Sequence, residues 1–146
     1  LNSQEGAITK YEDPLNNSGV STVWMSTESS KFPVGAKSIA IDGNIWILTQ
    51  DSTLQRYFGG LWQEDVVPLV FPLLKNATMA KVFPGLPYLY ILDPSASRVI
   101  LLSKSGDLVM QYHIGVEDFL LDFTVSKDGN TLYLLAGSRV FAIELE

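Results

Sequence analysis

The sequence predicts an all-β fold: β-propeller blades of four antiparallel strands, about three per chain, or half of a six-bladed ring. Three observations predict it. A strand-turn-strand pattern recurs about every 44 residues. The second strand of each copy is apolar without alternation, as a strand covered on both faces must be. No segment carries apolar residues at i, i+3, i+4 and i+7 over several turns, and seven prolines punctuate the connections. Only Glu117 to Leu121 suggests a single helical turn.

The repeat is read from Ser38 to Leu48, Met79 to Leu92 and Asp122 to Leu135. Matching Ile45, Leu89 and Leu132 gives spacings of 44 and 43, and the turn glycines Gly43, Gly85 and Gly129 are 42 and 44 apart. Asp42-Gly43 and Asp128-Gly129 offer pairs that accept positive φ, as tight hairpins require. A third strand follows each hairpin, at Leu54 to Tyr57, Arg98 to Leu102 and Arg139 to Ile143. Fourth strands follow at Trp62 to Val67 and Leu108 to Tyr112, but not in the third copy. Ahead of the first copy, Gly6 to Tyr11 and Val20 to Met25 read as outer strands without a hairpin before them. The divisions are therefore 1–35, outer strands of a blade completed by the C-terminus; 36–75 and 76–116, whole blades; and 117–146, a three-stranded partial blade.

Composition sets what such a body does not do. Sixteen acidic against ten basic residues leave a net charge of −6, with the basic ones scattered, so no stripe tracks phosphates and no nucleic acid is expected as a partner. Every apolar run is broken well short of a bilayer's width, so no membrane insertion by this segment is expected. Without cysteine there is no thiol catalysis or disulfide, and the compartment stays open. His113 is the only histidine and follows an outer strand, far from a central channel, so it reads as a surface residue and no nucleophilic triad is expected.

From Leu89 to Tyr112 the chain resembles an NHL-type repeat of the six-bladed β-propeller family. The match lies in an apolar strand ending at Asp93, a short loop, Arg98-Val99, a glycine turn at Gly106, and an outer strand ending at Tyr112. The resemblance implies that Asp93 and Arg98 form a loop pair bracing the hairpin or a neighbouring blade. As a partly exposed pair at a blade edge it would contribute about 0 to 1 kcal/mol. Asp122 and Lys81 stand apart from the other charged residues, because each falls in a first strand, where alternate side chains aim at the channel.

Three blades make an arc that exposes two apolar faces and an unpaired sheet edge. Two such arcs about a two-fold axis make six blades, so a homodimer is expected, with upstream blades as the alternative. The function expected is a non-catalytic interaction module for a protein or small ligand, without cofactor or metal, using loops at the channel mouth. The residues singled out are Gln50, Asp51, Asn76, Asp93, Ser95, Glu117, Asp118 and Asp122. Two alternatives remain: a metal-assisted hydrolase or lactonase assembled in the closed ring around Asp122, and a structural part of a larger propeller.

Overall fold

The computed structural model describes residues 1–12, 20–115 and 118–145. Among them thirteen strands form four antiparallel sheets. The first blade is β3 (Ala36–Ile41), β4 (Ile45–Thr49), β5 (Leu54–Phe58) and β6 (Leu61–Val66), hydrogen-bonded in chain order. The second repeats it with β7 (Met79–Lys81), β8 (Tyr88–Asp93), β9 (Arg98–Ser103) and β10 (Leu108–His113). The third has β11 (Leu120–Val125), β12 (Thr131–Ala136) and β13 (Arg139–Glu144), with no fourth strand among the described residues. Ahead of them β1 (Thr9–Tyr11) and β2 (Ser21–Val23) form a small sheet of their own.

Consecutive elements stack face to face. Trp46, Leu48 and Leu54 of the first blade pack on Ala80, Leu89, Ile91 and Ile100 of the second. The opposite face of the second blade, with Tyr90, Leu92, Val99 and Leu101, packs on Leu120, Phe123, Leu132 and Leu134 of the third. The first blade's remaining face carries Ile45, Ile47 and Tyr57, and Ile8 and Met25 beside β1 and β2 cover it. Unalternating apolar strands thus have a cause, since β4 is buried at every position and β8 at all but its first residue. By contrast β12, written in the same apolar alphabet, has cover on one face only, and its Tyr133 is 41% exposed.

The two end sheets lie at opposite ends of this row, and among the described residues β1 pairs only with β2 and β13 only with β12. Strand β7 is three residues long because Pro84 and Pro87 interrupt the hairpin that follows.

The turn glycines take left-handed backbone, φ +102 at Gly43, +82 at Gly85 and +79 at Gly129. Asp42 and Asp128 are not among the residues of positive φ. Their contribution to the turns is instead a carboxylate that accepts the N–H two residues on, from Asn44 at 3.3 Å and Asn130 at 3.2 Å. The expected helical turn at Glu117 to Leu121 is not found at its described end, where Leu120 already opens β11, and Glu117 lies outside the described residues. A single 3-10 turn forms at Pro94–Ala96, where Pro94 presets φ and Ser97 closes the turn in left-handed geometry.

Candidate functional site

The turns between second and third strands and the connections entering each blade converge on one rim. Ser52, buried in the β4–β5 turn, accepts the Ala77 N–H at 3.1 Å, and Lys37 donates to the Ala77 carbonyl at 3.1 Å. In the next blade the Ile114 N–H donates to the Ser97 carbonyl at 2.7 Å. The 3-10 turn is thereby tied to the chain leaving β10.

Beneath this rim lies the Asp93–Arg98 pair. The pair is 1% and 0% exposed, not at a partly exposed blade edge as the repeat implied. The cause is a neighbour that the repeat does not contain: residues 67 to 77, crossing from β6 to β7, lie over it. Arg98 donates through Nε to Asp93 at 2.9 Å, through one terminal nitrogen to Gln111 at 2.6 Å, and through the other to the Pro72 carbonyl at 2.6 Å. Ser95 donates to the second Asp93 oxygen at 2.6 Å. Every group of the ion pair is thus satisfied, which a buried pair needs to offset its desolvation.

That anchoring decides what the crossing shows to solvent. Val66, Pro68 and Val70 turn inward, and Val67, Leu69, Phe71 and Leu73 turn outward, 63%, 82%, 86% and 66% exposed. Phe71, Leu73, Lys75 and Asn76 of the crossing, with Ser95 and His113 opposite, line an open groove of about 720 Å³. Among the described residues the side chains of Lys75, Asn76 and His113 make no hydrogen bond or ion pair. On the opposite rim, Ile41, Phe83 and Leu86 line a hollow of about 430 Å³ whose one carboxylate, Asp42, is already engaged. Asp42 accepts from Trp46 Nε1 at 2.9 Å and pairs with Lys104. Burial works against its charge, but these partners outweigh burial and hold its carboxyl below the usual aspartate range.

The sequence candidates divide accordingly. Asn76 and Ser95 meet in the groove. Gln50 is exposed beside Gly35, and Asp51 caps its own turn by accepting from Thr49 and, at 3.5 Å, from the Thr53 N–H. The Thr49 hydrogen bond outweighs slight burial and holds the Asp51 carboxyl low. Asp93 is structural, and Asp118 holds Arg139 through contacts of 2.9 and 2.6 Å. Glu117 lies outside the described residues. His113 is exposed, as expected of a surface residue, yet it borders the groove. Phe71, Leu73 and Lys75 escaped sequence reading.

The two first-strand charges do meet. Lys81 on β7 donates to the Asp122 carboxylate and, at 2.6 Å, to the Phe123 carbonyl on β11. Burial opposes the Asp122 charge, but Lys81 and the Phe123 N–H outweigh it, so the carboxyl sits below the usual range. Lys81 and the Phe123 N–H share one oxygen of this carboxylate, and among the described residues no three His, Asp or Glu side chains cluster as a metal site. A depressed folded pKa contributes stability that is complete above the ordinary aspartate value, about 3.9, and lost as pH falls through the lower folded value. Asp122→Asn should therefore melt below the parent chain at pH 7, by up to about 4 °C for a half-exposed pair. In melting curves taken across pH, that gap should narrow below about pH 3.9 and close.

No protein-family model and no curated sequence matches the chain. Solved structures do. Hydrazine synthase of Kuenenia stuttgartiensis superposes with a TM-score of 0.59 at 14% identity, over 82% of this chain and 35% of that one. A streptogramin B lyase gives 0.56 at 11%, over 87% and 45%. Virginiamycin B lyase from Staphylococcus aureus gives 0.53 at 11%, over 88% and 46%. The chain is all-β and built of propeller blades, and it spans less than half the length of each of these proteins.

Proposed function

We propose that the chain is a non-catalytic binding module whose groove takes an apolar segment of a partner protein carrying an acidic group. One observation carries the proposal: Phe71 and Leu73 stand exposed on a crossing tied down by Arg98, beside Lys75, Asn76 and His113, whose side chains have no hydrogen-bond or ion-pair partner among the described residues. Exposed apolar side chains grouped beside polar ones mark interaction sites, and loops on a rigid scaffold commonly carry them. Lys75 and the amide of Asn76 suit a carboxylate, and Phe71 gives an apolar side chain a surface to lie on. The same proposal has the row closed into a six-bladed ring by a second copy, and the NHL-type pattern from Leu89 to Tyr112 supports six.

Selection from a library of displayed peptides tests it. The enriched peptides should combine aromatic or aliphatic residues with Asp, Glu or a free C-terminus, and Phe71→Ala and Lys75→Glu should each weaken their binding about tenfold or more, as loss of a central contact does. Lys10→Glu, on β1, should leave it unchanged. Enrichment of basic peptides, or groove variants that bind as tightly as the parent chain, would refute the proposal.

A further inference from the structure

The two ends of the row are unfinished in complementary ways. At the C-terminal end, β13 has a free edge six residues long among the described residues, whereas the equivalent strands β5 and β9 are each paired outward with a fourth strand. The outer face of the same sheet shows Leu121, Tyr133 and Val140, 49%, 41% and 70% exposed. Along β12 and β13 that face is largely apolar, β12 having the composition of β8, a strand with neighbours on both sides, and the Lys81–Asp122 pair borders it on the inner side. At the N-terminal end the deficit is reversed. The sheet of β1 and β2 lies over the outer part of the first blade, where the Gly60 carbonyl accepts the Ser26 N–H at 2.9 Å and Met25 packs near Tyr57. On that face the innermost strand β3 keeps Ile39 and Ile41 uncovered, 37% and 64% exposed.

We infer that these two ends dock on each other between copies: the outer face of the third blade covers Ile39 and Ile41 of a second copy, whose β1–β2 sheet comes to lie beside the free edge of β13. The occupant is a second copy because each end supplies what the other lacks. One presents inner strands without an outermost one, and the other presents outer strands without inner ones. A strand laid along β13 satisfies its unpaired N–H and C=O groups in the way β6 and β10 satisfy their neighbours, by edge pairing. The contact is head-to-tail, so it forms fibres unless the rotation closes, and a two-fold axis along the channel closes it with two copies. This rests on the six-bladed ring proposed above, but it engages a different surface from the groove.

Light scattering on the purified chain and two exposed-site variants tests the inference. The parent chain should run as a dimer, and Ile41→Asp and Val140→Asp should each run as monomers. An equimolar mixture of the two variants should recover a dimer, because it retains one undamaged joint: the third blade of the Ile41→Asp chain against the first blade of the Val140→Asp chain. A misfolded variant does not rescue its partner, so recovery reports the joint itself. A monomeric parent chain, a dimer that only Val140→Asp disrupts, or a mixture that stays monomeric would each overturn it. Peptide binding at the groove, measured on the same monomeric variants, separates this outcome from failure of the binding proposal, since Phe71 and Lys75 are untouched.

Discussion

Arg98→Met should destabilise the chain by about 3–5 kcal/mol, the usual consequence of removing one member of a buried ion pair. The Asp93 carboxylate, 1% exposed, would keep only the Ser95 hydroxyl, while the Pro72 carbonyl and Gln111 would each lose a charged donor. At about 2–4 °C per kcal/mol for a chain of this size, the melting temperature should fall by roughly 10 °C. Urea unfolding measures the loss directly, and a Asp93→Leu/Arg98→Met double variant should lose clearly less than the two single losses combined, because neither charge is then stranded. A cost below about 1 kcal/mol would place the pair with ordinary surface bridges and remove it as the anchor of the crossing.

The second large effect contrasts two tyrosines that occupy the same place in successive repeats. Tyr90 is 1% exposed, with its ring 5.2 Å from Phe83 and 6.3 Å from Phe123, and burial pushes its phenol up from the ordinary value. Tyr133, one repeat later, is 41% exposed. Tyr90→Ala should cost about 3–5 kcal/mol, as truncation of a buried aromatic does. Tyr133→Ala should cost the isolated fold under about 1 kcal/mol. Unfolding monitored at low chain concentration, where copies are apart, compares the two. Equal costs would mean that the third blade is covered on both faces within one chain.

That contrast marks where the sequence was informative and where it fell short. The period was legible because each copy repeats a glycine turn and a doubly apolar second strand, and both survive as β4 and β8. Lys81 and Asp122 were legible as charges on first strands, and their 41-residue separation, close to one period, is what lets neighbouring first strands bring them together. The crossing was not legible. Val66 to Leu74 is apolar throughout, so no pattern in it says that Val70 is buried and Phe71 is not. Two prolines keep it extended, and the side that faces inward is decided by an arginine 26 residues further along the chain. Arg98 was correctly placed at a strand start, but its burial depends on Pro72, which belongs to the preceding blade's exit.

Two contacts along the inner strands have a bearing on how the chain loses its order. Ser38 accepts the Ala80 N–H and donates to the Ala80 carbonyl, both at 3.1 Å, and one blade on Lys81 donates to the Phe123 carbonyl, each contact spanning 42 residues. Every such clip joins a blade to its immediate successor. Cooperativity is then of the nearest-neighbour kind, in which each unit borrows its stability from the units beside it. The middle blade, clipped on both sides and sandwiched between two apolar clusters, should be the last to open as disorder spreads toward it from its neighbours.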